Sequence, residues 1–286
     1  MMRRLTSALA VLVVFGLVFA HACPAEKAEE PAGDSLHMTW TGILDEDSFK
    51  ALHELNENAV PELHGTTIDL AGGHAYLSLP AGEPPFPAVV VIQEWWGLND
   101  HIRHWTDRLA ADGYAALAVD LYDGTVATDR DGALAAMQAV QDERASEIIR
   151  AGLDFLKNDE RVQASALGTI GWCFGGGWSF RAGLQNPDVK AIVMYYGRMT
   201  DDPAELAKIR GHLCGIFGNR DQGIPPDVVN AFDEGLTKAG VPHEIWRYDA
   251  DHAFANPSSA RYDEASAEDA WGHVRAFLAR ELRPTE

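Results

Sequence analysis

Cysteine, positive charge and long apolar runs are all scarce in this sequence. Three cysteines among 286 residues cannot cross-link a chain of this length, so a buried core must hold it together. Lysine and arginine number 23 against 43 aspartates and glutamates, and a formal net charge of −20 argues against a nucleic-acid partner because phosphate backbones are repelled. No Cys-x-x-Cys or His-Glu-x-x-His pattern occurs, so we expect neither a metal site nor a cofactor.

The most pronounced apolar run lies at the N-terminus. Arg3 and Arg4 precede an apolar stretch over residues 8–20, and Ala20-His21-Ala22 has the small-x-small pattern of a signal-peptidase site. A helix of that length spans about 20 Å, which is short of a hydrocarbon core of about 30 Å. Residues 1–22 are therefore predicted to be a signal peptide rather than a retained membrane anchor, and the protein to be exported, either periplasmic or secreted.

Cys23 follows the predicted cleavage site directly, as in a bacterial lipoprotein junction, although Ala20 and His21 are atypical for such a site. A lipid anchor at Cys23 and plain secretion are both open. No later apolar stretch approaches the roughly 18 residues of a spanning helix, so the mature chain is expected to have no membrane-spanning segment. The oligomeric state is open, with a monomer favoured.

The composition changes near residue 66. Residues 23–65 are predicted to be an acidic linker with a short helical N-terminal extension, in which Phe49, Leu52 and Leu55 follow an acidic first turn. Residues 66–286 show no internal repeat and are predicted to form one domain. Strands are predicted at 67–70, 75–79, 88–93, 114–120, 167–172, 189–196, 212–218 and 243–248. Helices are predicted at 100–112, 131–157, 176–185, 203–209, 226–239 and 263–282.

Strands that alternate with helices in this way predict the α/β class. The expected architecture is a mainly parallel, doubly wound sheet of about eight strands, covered by helices on both faces. Ligands of such sheets bind beyond the carboxyl ends of the strands, so polar residues directly after a strand are the first candidates for chemistry.

The strongest such candidate is Cys173. Gly171-Trp172-Cys173-Phe174-Gly175 joins a predicted strand to a predicted helix, and it matches the Gly-x-Ser-x-Gly nucleophile elbow with cysteine in the serine position. Glycines on both sides allow a sharp turn, and a helix N-terminus favours the thiolate. A buried structural cysteine beside a glycine-rich turn is the alternative.

Asp221 and His252 follow later strands, in the order nucleophile, acid, histidine that hydrolase triads of this kind use. Asp221 comes after the strand at 212–218, and His252 after the strand at 243–248. Asp249 and Asp251 compete as acids for His252, but immediate sequence neighbours rarely orient an imidazole productively. We therefore expect Asp221 to be its partner.

Glu94 and Trp95 follow the first buried strand. In an elbow of this type the loop here supplies one amide of the oxyanion hole, and the residue after the nucleophile supplies the other, which assigns the backbone N–H groups of Trp95 and Phe174. A carboxylate at the end of an apolar strand is costly to bury without a partner. Glu94 is therefore a functional candidate, with an N-cap or a surface acid as the alternative.

Taken together, these stretches make the sequence resemble the dienelactone hydrolase (carboxymethylenebutenolidase) family, whose members use a cysteine nucleophile on the α/β-hydrolase fold. The shared stretches run in the family's order across about residues 66–282. They are Val-Ile-Gln-Glu94-x-x-Gly-Leu-Asn, Asp120-Leu-Tyr122, Gly171-Trp-Cys173-Phe-Gly-Gly, Tyr195-Tyr196-Gly197, Gly-Asn-Arg-Asp221 and Asp-His252-Ala-Phe.

The resemblance implies a hydrolase of a lactone or a small carboxylic ester, with a small molecule as substrate. Glu94 corresponds to the glutamate that contacts the resting thiol and can take its proton. Cys173 then attacks the carbonyl, while Asp221 orients His252. A thiolate suits this chemistry because sulfur is nucleophilic near neutral pH and a thioester hydrolyses readily.

One position departs from the family pattern. Members that act on dienelactone have an arginine four residues after the histidine, where this chain has Asn256. A second arginine of the family aligns only loosely with Arg130, for which a surface charge is the alternative. A strong carboxylate contact is thus missing, and the substrate is expected to be less acidic than dienelactone or anchored otherwise. Residues expected to contact the substrate are Arg130, Trp96, Tyr122 and Asn256, with Arg198 and Arg261 as possible substitutes for the missing arginine.

A non-hydrolytic function is the alternative. Export would place a reactive thiol in an oxidising compartment, as in an envelope protein that binds a ligand or senses redox state on a hydrolase fold. Cys214 lies in a predicted strand and should be buried, so a disulfide between Cys173 and Cys214 is not expected. A complete set of nucleophile, base and acid argues against a pure binding protein.

Overall fold

The computed structural model describes residues 63–283. The predicted signal peptide (1–22), the Cys23 junction and the short helix predicted after residue 48 lie outside the described residues and stay predictions. Among the residues that are described, no helix is both long and apolar enough to cross a membrane.

Strands and helices alternate along the described chain. The strands are β1 (Thr66–Leu70), β2 (Gly73–Ser78), β3 (Pro87–Ile92), β4 (Ala115–Val119), β5 (Ala166–Trp172), β6 (Val189–Tyr195), β7 (His212–Gly218) and β8 (His243–Tyr248). The helices are α1 (Asp100–Ala111), α2 (Arg130–Ala139), α3 (Asp142–Asn158), α4 (Phe174–Gln185), α5 (Pro203–Leu206), α6 (Pro226–Ala239) and α7 (Glu264–Leu282).

The strands form one eight-stranded sheet in the order β1-β2-β4-β3-β5-β6-β7-β8. β2 is antiparallel to both of its neighbours, and every other pair of adjacent strands is parallel. The predicted α/β class and the mainly parallel sheet are therefore confirmed. The carboxyl ends of β3, β5, β7 and β8 lie at the same edge, which brings the residues that follow these strands together.

Helices cover both faces of the sheet, as predicted. Residues of α1 and α7, such as Trp105 and Trp271, share one apolar cluster with Val89 and Val91 of β3. The opposite face packs against α3, where a Cβ on Gly152 would lie 3.0 Å from Val119 Cγ1 and 3.6 Å from Val90 Cγ2. Adjacent residues of β3 thus point to opposite helical layers, as the continuous apolar run of that strand requires.

The prediction of one long helix at 131–157 is wrong, because two helices occupy this stretch. Val140 and Gln141 have extended backbone angles and separate α2 from α3. The two helices cover different surfaces: α3 packs on the sheet, while Ala133 of α2 packs with Trp96 beyond the sheet edge. No glycine or proline marks the break, so the apolar pattern alone did not reveal it.

Two other helices differ in their ends. α4 begins at Phe174 rather than at residue 176, because Cys173 is itself the residue that precedes the first helical turn. α5 ends at Leu206 rather than at residue 209. After Leu206 the backbone forms the tighter turns that are typical of a helix end. Their hydrogen bonds run from Lys208 N to Glu205 O and from Ile209 N to Leu206 O.

Candidate active site

Cys173 lies at a strained turn between β5 and α4. Its backbone has φ 54° and ψ −115°, a region that non-glycine residues rarely occupy. The turn is held on both sides, because the Cys173 N–H donates to Tyr195 O at 3.0 Å and its carbonyl accepts from Gly177 N at 3.2 Å. Strain held by surrounding structure is typical of functional sites, and here it presents the thiol at the N-terminus of a helix.

The glycines around Cys173 are required by close backbone packing. A Cβ on Gly171 would overlap the carbonyl of Gly175, and a Cβ on Gly175 would overlap the carbonyl of Ile92 at the end of β3. Gly176 likewise lies against the carbonyl of Tyr195 at the end of β6. The first turn of α4 is thus pressed between two neighbouring strand ends, which fixes the direction of the thiol.

His252 and Asp221 form a buried pair beside this turn. His252 Nδ1 lies 2.6 Å from Asp221 Oδ2, and Asp221 Oδ1 accepts hydrogen bonds from the backbone N–H groups of Gly223 at 2.8 Å and Ile224 at 3.0 Å. Both carboxylate oxygens are therefore occupied, and the contact leaves His252 Nε2 as the ring nitrogen for Cys173.

The competing acids are directed elsewhere. Asp249 and Asp251 both contact Arg220, at 3.5 Å each, and Asp249 is exposed. The structure thus brings Asp221, rather than either sequence neighbour, to His252.

The electrostatics of the pair favour an ionised acid and a protonated base. Burial alone raises the pKa of Asp221, but the charge of His252 and the hydrogen bonds that Asp221 accepts outweigh it, so this pKa lies below its usual value. Burial alone lowers the pKa of His252, but the charges of Asp221 and Cys173 and its hydrogen bonds to both raise it well above the usual value. The arrangement stabilises a protonated imidazole beside Cys173.

Glu94 is buried after β3, with 5% of its surface exposed. Its Oε2 accepts a hydrogen bond of 2.5 Å from Asn256 Nδ2, and its Oε1 is buried without a hydrogen-bond partner among the described residues. Burial raises the pKa of Glu94 from 4.5 to about 7, although the charge of His252 and the bond from Asn256 lower it. A carboxyl with this pKa exchanges a proton readily near neutral pH.

Asn256 contacts Glu94 through its side chain, a contact that the sequence did not reveal. Its Oδ1 accepts hydrogen bonds from the backbone N–H of Ser258 at 2.9 Å and from the Ser258 hydroxyl at 2.7 Å. Ser258 was not among the predicted site residues. The Asn-Pro-Ser turn, in which an asparagine oxygen accepts from the backbone two residues later, is the local signal that points to it.

The two predicted oxyanion donors lie on adjacent segments. Phe174 is the first residue of α4, and the N–H groups of a first helical turn have no partner within the helix. Trp95 follows Glu94 at the end of β3, against which the start of α4 is pressed. The Trp95 and Phe174 side chains share one apolar cluster, so the segments that carry the two donors lie close together.

An apolar wall covers this side of the site. Trp95, Trp96 and Phe174 pack with Ala133, Leu134 and Met137 of α2. The ring of Tyr122 lies 5.5 Å from that of Phe174, and its hydroxyl is buried without a hydrogen-bond partner among the described residues.

The charged residues expected near the substrate lie at two places. Arg130 is half-buried at the start of α2, the helix of the apolar wall. Arg198 is half-buried after β6, with its backbone against Gly177, and its charge interacts with Cys173. Burial lowers the pKa of Arg198 to about 10. Within residues 63–283, no group of three or more His, Cys, Asp and Glu side chains is arranged to hold a metal ion.

The sheet, the elbow between β5 and α4, and the acid and histidine after later strands define an α/β-hydrolase fold. The family model described as Dienelactone hydrolase family matches residues 74–282. The chain belongs to the dienelactone hydrolase family, and it is a carboxylic ester or lactone hydrolase.

Relatives and solved structures agree with this assignment. A protein named "Putative carboxymethylenebutenolidase" from Synechocystis sp. is 33% identical over 234 residues, which are 76% of this chain and 94% of the relative. A protein of the same name from Escherichia coli is 33% identical over 218 residues, which are 69% of this chain and 78% of the relative.

Two solved structures share the fold. A crystal structure named "Putative Dienelactone Hydrolase", from Klebsiella pneumoniae subsp. pneumoniae, matches with a TM-score of 0.66 and 29% identity, and the match covers 78% of this chain and 100% of that one. A dienelactone hydrolase-like promiscuous phosphotriesterase from metagenomic libraries has a TM-score of 0.70 over 77% of this chain and 99% of that one, and at 22% identity it shows the fold alone.

Proposed function

We propose that this protein hydrolyses a lactone or a small carboxylic ester with Cys173 as the nucleophile, His252 as the base and Asp221 as its partner. The observation that carries the proposal is the position of Cys173. Its thiol is held at a strained turn and interacts with an imidazole whose other nitrogen lies 2.6 Å from a buried carboxylate. A structural cysteine needs neither the strain nor the ion pair.

The first half-reaction forms a thioester. The Cys173 thiolate attacks the carbonyl carbon, and the oxyanion accepts hydrogen bonds from the N–H groups of Trp95 and Phe174. The bond to the leaving oxygen then breaks, and that oxygen, as an enolate or alkoxide, takes the proton of the His252 imidazolium, which leaves the imidazole neutral. In the second half-reaction, water gives a proton to His252 and attacks the thioester, so that the carboxylic acid leaves and the thiolate returns.

We assign Glu94 the task of taking the Cys173 proton when substrate binds, which leaves the thiolate beside a His252 side chain that is already an imidazolium. Its pKa of about 7 and its buried, unpartnered Oε1 support this role, because a group that ionises near neutral pH can both accept and release a proton. We assign substrate contacts to Trp96, Tyr122, Asn256 and Arg130, of which the first two line the apolar wall beside Phe174.

An activity screen with two cysteine variants tests the nucleophile. Wild-type protein and the Cys173→Ala and Cys214→Ala variants are assayed on p-nitrophenyl acetate and on a panel of lactones. Cys214 is the matched control because it is the other described cysteine, free and fully buried in β7. We expect Cys173→Ala to lose at least about 10³-fold in kcat/KM and Cys214→Ala to retain activity.

Two outcomes contradict this proposal. Full activity in Cys173→Ala excludes the cysteine mechanism. A wild-type protein that hydrolyses no ester or lactone, although Cys173 is a free thiol, favours the alternative of a binding or redox-sensing protein.

We also propose that residues 1–22 are removed on export and that the mature chain begins at Cys23. The positive n-region, the short apolar run and the small-x-small site support this processing. Mass spectrometry of the exported chain measures its first residue, and an added diacylglycerol on Cys23 distinguishes a lipid anchor from plain secretion. A chain that retains residue 1 contradicts the proposal. Light scattering of the mature protein tests the expected monomer.

A further inference from the structure

Glu94 has two carboxyl oxygens in different surroundings. Oε2 accepts a hydrogen bond from Asn256, while Oε1 is buried and has no hydrogen-bond partner among the described residues. We propose that Asn256, fixed by Ser258, is a positioning residue that binds one oxygen of Glu94 and leaves the other to exchange the proton of Cys173. This inference rests on the proposed function of Glu94, and it adds two residues that act through that carboxyl.

The orientation of the Asn256 amide follows from Ser258. A backbone N–H can only donate a hydrogen bond, so the side-chain atom 2.9 Å from Ser258 N must be the oxygen of Asn256. The Ser258 hydroxyl occupies the same oxygen at 2.7 Å. The NH₂ group therefore faces Glu94, and the usual ambiguity between the two ends of an asparagine does not arise here.

This orientation decides which oxygen of Glu94 can hold a proton. Asn256 Nδ2 can only donate, so Oε2 must act as an acceptor whether the carboxyl is neutral or ionised. A proton on Glu94 is therefore favoured on Oε1, the oxygen that Asn256 leaves unoccupied, because the hydroxyl oxygen of a carboxylic acid accepts hydrogen bonds more weakly than its carbonyl oxygen. The pair thus directs proton exchange to one oxygen of a buried carboxyl.

Because Asn256 carries no charge, its effect on the pKa of Glu94 comes from a hydrogen bond alone. Glu94 interacts with the charge of His252 and with Tyr196, and Tyr196 in turn interacts with Cys173. Asn256 favours the carboxylate through a hydrogen bond without adding a full positive charge, and the pKa of Glu94 stays at about 7. Both protonation states are then populated at neutral pH. The described groups that interact with Cys173 are His252, Tyr196, Tyr122 and Arg198.

The rate of Cys173 alkylation by iodoacetamide, measured between pH 5 and 9, tests the inference without requiring hydrolysis. Mass spectrometry of the peptide that contains Cys173 measures the extent of alkylation. The pH profile of p-nitrophenyl acetate hydrolysis is measured in parallel. In Asn256→Ala the bond that favours the carboxylate is lost, so the midpoint of the alkylation profile should rise by about one pH unit. Asn256→Asp should raise it at least as far, because two carboxyls then share the site.

Two further variants separate positioning from general damage to the loop. Ser258→Ala keeps the backbone bond to Asn256 Oδ1 but removes the bond from the hydroxyl, so Asn256 is held less firmly and the midpoint should shift in the same direction by a smaller amount. Ser259→Ala is the matched control, since this buried neighbour accepts from Arg261 N at 3.1 Å and not from Asn256. Its profile should coincide with that of the wild type.

The alkylation profile measured in the Glu94→Gln variant tests whether Asn256 acts through Glu94. There, Asn256→Ala should cause no additional shift of the alkylation midpoint. A shift that persists without the carboxyl overturns the inference, as does a wild-type profile in Asn256→Ala or in Asn256→Asp. If the proposed function fails, activity on esters is absent or independent of Cys173, whereas the alkylation profile still reports on Asn256 and Glu94.

Discussion

His252 Nδ1 lies 2.6 Å from Asp221 Oδ2, and solvent reaches only 5% of His252 and 2% of Asp221. Asp221 also accepts two backbone hydrogen bonds, so it cannot rotate away from the imidazole without leaving buried donors unsatisfied. The pair is therefore rigid, and the proposed mechanism uses this rigidity. His252 keeps one nitrogen on the acid and presents the other to Cys173.

Asp221→Asn should retain the fold and lose most of the activity. An amide cannot stabilise the imidazolium, so the pKa of His252 falls and the thiolate–imidazolium pair is lost at a lower pH. We expect kcat/KM to drop by about 10²–10⁴-fold and the alkaline limb of the pH profile to move to lower pH. Asp249→Asn, on an exposed carboxylate that contacts Arg220, is the matched control and should retain wild-type activity. Equal activity in both variants would remove Asp221 from the mechanism.

Glu94→Gln should change how stability depends on pH. An unfolded carboxyl ionises near 4.5 and the folded one near 7, so the unfolded state loses its proton first and wild-type stability falls as pH rises between these values. The Glu94→Gln variant lacks this pH dependence of stability because glutamine does not ionise. Between pH 5.5 and 8.5, the free energy of unfolding of the variant relative to the wild type should increase by about 2 kcal/mol.

Urea denaturation at the two pH values measures this change. Glu160→Gln, on an exposed side chain before β5, is the control for a carboxyl in contact with solvent. A difference between Glu94→Gln and wild type that stays constant with pH would mean that Glu94 ionises in the folded protein as it does in water.

Gly176→Ala should destabilise the elbow. A Cβ there would overlap the carbonyl of Tyr195 and lie 3.2 Å from Gly197 Cα, so the start of α4 would have to move. We expect a loss of about 3 kcal/mol or more together with a loss of activity. Gly272→Ala is the matched control, since a Cβ in that exposed part of α7 meets nothing within 4 Å. It should stabilise the protein by about 0.5–1 kcal/mol, and thermal unfolding compares the two variants.

The alternation of apolar runs and amphipathic stretches was sufficient to predict the sheet and the strand ends. Asp221 and His252 were found because parallel strands end at one edge, so residues far apart in sequence meet there. The bond between Glu94 and Asn256 was not predicted. It joins residues 162 positions apart, and the sequence around either residue does not indicate the other as its partner.

The break between α2 and α3 was missed for a related reason. Both helices carry apolar residues at helical spacing, and the local sequence does not show that they cover different surfaces. That division depends on tertiary packing: Ala133 of α2 meets Trp96, whereas Gly152 of α3 meets Val119 of the sheet. Local propensity was the same on both sides of Val140, so only the fold distinguished them.

Tyr122→Phe should lower activity without lowering stability. The Tyr122 hydroxyl is buried and has no hydrogen-bond partner among the described residues, so its removal breaks no bond within the protein. If the hydroxyl donates to an oxygen of the substrate, kcat/KM should fall by about 10-fold while the free energy of unfolding stays equal or rises.

For Tyr76→Phe we expect the opposite result, a loss of stability without a loss of activity. The Tyr76 hydroxyl donates to Asp107 and accepts from Gly65 N, and the ring lies among the core residues packed around α1. Its removal should cost about 1–3 kcal/mol and leave kcat/KM unchanged. Urea denaturation and ester hydrolysis of both variants measure the two effects. A Tyr122→Phe variant with wild-type kinetics would exclude the hydroxyl from substrate binding and leave the apolar ring of Tyr122 as its contribution to the wall beside Phe174.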